Sequence, residues 1–240
     1  MLYIGRFFNA IIVLVVTLAA TSLTTYILGK WKSIGRELRL FGLFWFFTAF
    51  LWFLVTIRSL AGAFNNYELD ALFFEYAQIF VFLSALFLGG YVFEKLFHKK
   101  FVTIIALFVY AVLGMLGIAA TLVYNSIPVD VVNFFITEYE PSYEATLVFQ
   151  ITMFPLLALL FIDVVRQGIF LMQKKISSYA DLIAPFSVLL YLVIGYFDQI
   201  GIPGWPVLMF RLLFVGAFLM AYASITGVPK EEYVVSLSDN

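Results

Sequence analysis

The sequence predicts an all-α membrane protein: a bundle of seven transmembrane helices, N-terminus outside and C-terminus cytoplasmic. Three observations lead there. First, the 240 residues are 64% hydrophobic and only 12% charged, where a soluble domain is roughly a quarter charged, and mean hydropathy is +1.03. Second, seven segments of about 20 or more mostly apolar residues can each cross a hydrocarbon core of about 30 Å. Third, basic residues gather in alternate connections, as the positive-inside rule requires of cytoplasmic loops.

In chain order the predicted spans are residues 7–29, 40–62, 70–93, 101–124, 144–172, 181–200 and 206–227. The first lacks a short apolar core followed by an Ala-x-Ala type cleavage site, so it reads as a retained helix. Lys30, Lys32, Arg36 and Arg39 follow it. Its Ala19-Ala20-Thr21-Ser22 run, like Gly89-Gly90 and Gly114-Met-Leu-Gly117 further on, permits close helix approach. The aromatic run Phe41 to Phe53 of the second span covers every face of a helix and reads as lipid contact and bulk. Lys95, Lys99 and Lys100 follow the third span, and Lys174 and Lys175 the fifth, whereas the opposite connections are acidic or neutral.

The longest connection, Asn125 to Tyr143, carries Asp130, Glu138 and Glu140, with Glu144 just after it. Pro128 there suits the first position of a short helix, lying at the membrane interface as a structural lid or a ligand-gating loop. Pro155 and Pro185 remove backbone donors inside the fifth and sixth spans, which allows kinks. Residues 1–229 form one transmembrane domain and 230–240 a short polar cytoplasmic tail, leaving no room for a separate soluble domain. Three spans, a connector and three spans suggest a weak 3+1+3 arrangement, with Phe50 to Arg58 laid on Leu190 to Asp198.

An ionisable side chain inside a membrane span costs about 2.5–3.5 kcal/mol on insertion scales, so each such residue faces the bundle or an interface. Counting about 1.5 Å per residue from the outer ends, Arg6, Arg58, Glu75, Asp198 and Arg211 all fall in the outer third. Were helices 2 and 6, or 3 and 7, to pack across the bundle, Arg58 would pair with Asp198 and Glu75 with Arg211. The five either tie helix ends together as salt bridges and headgroup contacts, or form an outward pocket for a small ligand or ion. Three arginines against two acids favour an anionic guest if all five converge. In the fifth span, Asp163 and Arg166 share a helix face as an intrahelical ion pair beside Gln167, a polar latch or an ion relay.

Several chemistries are missing. Without cysteine there are no disulfides, thiol nucleophiles or thiolate metal sites. The one histidine, His98, lies among lysines in a turn, so a bis-histidine haem, a multi-histidine zinc centre and a histidine triad all lack residues. No glycine-rich phosphate loop is present, and nothing marks Glu75 and Asp198 as a catalytic carboxylate pair. The expectation is a non-enzyme without metal or cofactor. Its net charge of −1 argues for no nucleic-acid partner.

The topology resembles that of microbial rhodopsins, whose retinal is held by a lysine in the middle of helix 7. Here that stretch reads Leu212-Leu-Phe-Val-Gly-Ala-Phe-Leu-Met220, and the sequence places no lysine inside any span, which excludes a retinal Schiff base. Sugar transporters of the SWEET type share the 3+1+3 helix count, but their Pro-Gln pair is absent. Gly35-Arg-Glu-Leu-Arg39 before helix 2, Arg211-Leu-Leu-Phe-Val-Gly-Ala-Phe-Leu in helix 7 and Gly227-Val-Pro229 at its end resemble the seven-helix membrane sensor modules of prokaryotic histidine kinases. That resemblance implies an integral protein of a prokaryotic cell membrane, sensor- or receptor-like, binding a small ligand through its outer half. It would act through a membrane or cytoplasmic protein partner. The alternatives are a small-solute or ion transporter or channel, and a structural subunit of a membrane complex. A polar path from Glu75 to Asp163 would favour transport; an outer pocket closed below by aromatic packing would favour sensing.

Overall fold

A computed structural model describes residues 3–124, 127–128, 134–137, 139–173, 179–200 and 205–226. It contains seven helices: α1 (Ile4–Gly29), α2 (Arg36–Ala63), α3 (Tyr67–Phe97), α4 (Lys100–Val123), α5 (Tyr143–Met172), α6 (Ala180–Ile200) and α7 (Pro206–Thr226). All seven are long and apolar enough to cross a membrane. Between α4 and α5, the two-residue strands β1 (Ile127–Pro128) and β2 (Tyr139–Glu140) pair antiparallel. Pro128 therefore lies in a strand, and the rest of the interfacial helix expected there falls largely on residues 129–133, outside those described.

Local chemistry sets the helix ends. The Asn66 side chain accepts from Leu69 N–H at 3.2 Å to start α3, and Ser142 does the same for Ala145 at 3.1 Å to start α5. Asn65, at φ 61°, takes the left-handed conformation that lets α2 reverse directly into α3. His98, at φ 52°, closes α3 with its N–H on Glu94 O at 2.9 Å. α2 and α3 outrun the predicted spans of 40–62 and 70–93 because hydropathy marks the hydrocarbon layer, while backbone hydrogen bonding continues into charged turns. One consequence corrects the sequence reading: Lys95 is not in a connection but in the last turn of α3, and buried. The middle of α7 carries no lysine.

Consecutive helices pack side by side, and α1 also packs on α7, which closes the bundle into a ring. α4 is joined to it by a narrow strip, Thr103, Ala106, Tyr110, Gly114, Gly117, Ala120 and Thr121, at helical spacing. Small residues make this contact close: a Cβ at Gly89 would overlap the Tyr110 ring, and one at Gly117 would overlap the Phe82 ring. Gly89→Val is expected to lower stability by about 2 kcal/mol by overpacking. A thermal melt in detergent checks it, and an unchanged midpoint would mean that α4 simply moves aside.

The aromatic run of α2 is not mainly lipid contact. Phe41, Phe44, Trp45 and Trp52 are buried while Phe50 and Phe53 are exposed. With Thr48, the buried set follows the i, i+3, i+4 periodicity of one helix face. Trp45 lies 5.3 Å from the Tyr191 ring of α6 and 4.9 Å from Phe218 of α7. Phe41 lies 5.0 Å from Tyr91 of α3. Bulky rings from α2 thus span the bundle and fill its middle.

Candidate functional site

In the half of the bundle that holds the N-terminus, a cavity of about 530 Å³ opens among α1, α2, α3, α5, α6 and α7, a size typical of small-molecule sites. The connection between α4 and α5 supplies part of its wall through Ile136, Thr137 and Tyr139. Four of the five charges predicted for the outer third line it: Arg6, Arg58, Asp198 and Arg211. Glu75 is half-buried on α3 and lies outside the lining. The condition attached to an anionic guest, convergence of all five, is therefore not met.

The pairing differs from the cross-bundle expectation. Arg58 Nε donates to Asp70 Oδ1 at 2.9 Å, and Asp198 Oδ1 sits 3.1 Å from Arg211 Nε. Both pairs join the facing ends of a helical hairpin, α2 with α3 and α6 with α7. The turn at Phe64–Asn66 holds α2 and α3 together at that end, and α6 packs on α7, whereas a cross-bundle pair would have to span the cavity. Asp70 is fully buried and also accepts from the Thr137 hydroxyl. Arg58 Nη2 donates to Thr137 O at 2.7 Å, so this ion pair fastens the cavity wall. Tyr139 donates to Tyr67 O at 3.3 Å; burial, then the Asp70 charge, pushes its phenol up to about 12. Arg6 Nη1 donates to Gly62 O at 3.3 Å and to the Tyr67 hydroxyl at 3.2 Å.

The second pair is less well satisfied. Asp198 Oδ1 and Arg211 Nε are close but not aligned for a hydrogen bond, and both atoms, together with Arg211 Nη1, have no hydrogen-bond partner. Asn9 Oδ1, on the neighbouring α1, has none either. Arg211 is 6% exposed and Asn9 2%. The Arg211 guanidinium lies 5.2 Å from the Trp52 ring centroid.

Trp52, Tyr191 and Phe214 make the cavity floor, with Trp52 Nε1 donating to the Tyr191 hydroxyl at 3.2 Å. Beyond them the Phe44, Trp45 and Phe218 rings pack on Tyr191 and on one another, and all of these rings are buried. Past this layer, near the basic end, lies a second polar centre. There Lys95 Nζ lies 3.7 Å from Asp163 Oδ2 and donates to Asp181 O at 3.2 Å. Gln167 Nε2 donates to Asp163 Oδ1 at 3.2 Å. Arg36 and Glu94 pair at 2.6 Å nearby.

The intrahelical Asp163–Arg166 pair is thus replaced by a pair between α3 and α5. Residues three apart are still about 60° apart around a helix. That is enough to turn Asp163 into the bundle while Arg166 is exposed, its guanidinium 5.3 Å from the Phe170 ring centroid.

Asp70, Thr137, Asn9 and Lys95 were not picked out by the sequence reading. Asn9 lies one turn from Arg6; Lys95 is hidden because it falls beyond the span 70–93, and Asp70, the first residue of that span, because its burial depends on α2 and the 134–137 segment folding over it. Among the described residues, no group of three His, Cys, Asp or Glu side chains gathers to hold a metal ion. No protein-family model matches the chain, and no curated protein is significantly similar to it.

Proposed function

We propose that this chain is a non-enzymatic, receptor-like membrane protein that binds a small ligand in the cavity and passes the bound state to a protein partner. The single observation that carries the reading is a polar-mouthed cavity whose described lining ends on the buried rings of Trp52, Tyr191 and Phe214. A dead-ended cavity suits occupancy sensing. The cavity is walled by six helices, so a guest that draws them together changes their packing at the far end. The basic residues at the opposite end support an orientation with the cavity outside and the C-terminus in the cytoplasm. The likeness to prokaryotic kinase sensor modules supports a cell-membrane setting, and the weak match of Phe50–Arg58 to Leu190–Asp198 supports a 3+1+3 plan.

Reconstitution into liposomes with a panel of solute and ion gradients tests the reading. The expected result is no flux above protein-free vesicles. Robust flux of any panel member would sink it in favour of transport. That second reading is favoured by one feature, the buried Lys95–Asp163 pair beneath the aromatic layer, flanked by helices that contain Pro155 and Pro185.

A further inference from the structure

We infer that the cavity takes a small zwitterion, an α-amino acid with an aromatic side chain, with its carboxylate on Arg211 and its ammonium on Asp198 and Asn9. This rests on the receptor reading above and names the ligand class of the same site. The argument starts from unmet hydrogen bonds. Buried polar atoms without partners are rare in folded proteins and call for an explanation. Of the eight such side-chain atoms among the described residues, four, of both kinds, share this cavity: donors at Arg211 Nε and Nη1, acceptors at Asp198 Oδ1 and Asn9 Oδ1. A guest that only accepts would leave the two oxygens unmet; one that only donates would leave the guanidinium unmet. An α-amino acid supplies both within one bond of the same carbon.

Charge points the same way. Of the three arginines in the lining, Arg58 is matched by Asp70 and Arg6 donates to Gly62 O and the Tyr67 hydroxyl, which leaves Arg211 with Asp198 as the head site; that pair is neutral, and a zwitterion keeps it so. The guanidinium fork suits the two oxygens of a carboxylate. An ammonium suits the carboxylate and amide oxygens opposite. The packing of α6 on α7 places Asp198 and Arg211 together, and α1 packs on α7 to bring Asn9 to the same cavity.

The floor selects the body of the ligand. Trp52 and Phe214 are 4.6 Å apart between ring centroids, and Tyr191 and Phe214 are 5.2 Å apart. These rings present an aromatic surface next to the charged head site, and aromatic pairs favour such tilted contacts. The cavity of about 530 Å³ holds a side chain as large as an indole with room for water.

The test is isothermal titration calorimetry of the full chain in detergent with four probes: L-phenylalanine, 3-phenylpropionate, phenethylamine and L-phenylalaninamide. L-phenylalanine should bind, and each of the other three, lacking the ammonium, the carboxylate or its charge, should bind at least tenfold more weakly. Arg211→Gln and Asp198→Asn should each remove that preference, and Arg211→Lys should retain part of it. If a variant fails to fold, the probe series on the unaltered chain decides alone. An analogue binding as tightly as L-phenylalanine overturns the inference and leaves the receptor reading standing. Binding by none of the four overturns it as well. Passage of L-phenylalanine across the liposome membrane would sink the receptor reading while leaving the head-group assignment intact.

Discussion

Asp70→Asn is expected to destabilise the protein by about 3–5 kcal/mol, the range seen when one partner of a buried ion pair is removed. The asparagine keeps the shape but leaves the Arg58 guanidinium, with its side chain 15% exposed, facing no counter-charge. It also weakens the acceptor for the Thr137 hydroxyl, so the wall segment 134–137 loses part of its attachment. A thermal or denaturant melt of the purified protein reads the effect. The double variant Asp70→Leu, Arg58→Met should recover most of the loss, because replacing both members of a buried pair by apolar groups is often near neutral. A single variant as stable as the parent would show that water reaches this pair and that it does not hold the wall.

Trp45→Ala should have an effect of similar size for a different reason. Trp45 is fully buried, and it touches Phe41 and Phe44 of its own helix, Tyr191 and Phe218. Truncating a buried tryptophan costs about 3–5 kcal/mol from lost transfer energy and the void left behind. Here the void would lie between the cavity floor and the level of Lys95, so it thins the barrier between the two polar ends. Liposomes holding the variant should leak protons or small ions faster than those holding the parent, and Trp45→Phe should leak less than Trp45→Ala. Equal stability and equal leakage would mean that the aromatic layer is neither tightly packed nor the seal.

Both effects hang on contacts between segments that the sequence shows only as separate patterns. Asp70 reads in isolation as one of the acids, with Glu68, between the second and third spans. Its burial becomes visible only when α2 and α3 fold back and the 134–137 segment closes over it. The stripe formed by Phe41, Phe44, Trp45, Thr48 and Trp52 was in the sequence at helical spacing. It was obscured because Phe46, Phe47, Phe50 and Phe53 share the same helix, and apolar residues face lipid as readily as they face the core. Lys95 lay outside a hydropathy-defined span, and the side-chain stem of lysine carries its charge a turn or more from its backbone position.

What the sequence determined by itself is the number of helices, their all-α class, and which half of the bundle collects the charges Arg6, Arg58, Glu75, Asp198 and Arg211. Those follow from one-dimensional quantities: the length of apolar runs against the thickness of a bilayer, and the cost of placing a charge within it. Tertiary structure alone decided which charges meet, that Glu75 stays outside the cavity, that Asp163 turns to Lys95 and not to Arg166, and that an aromatic layer divides the two ends. The physical reason is that pairing depends on the rotation of each helix about its own axis and on which helix ends a short turn holds together. A charge a single turn away along the chain can face the opposite environment, while one in the next helix lies within hydrogen-bonding distance.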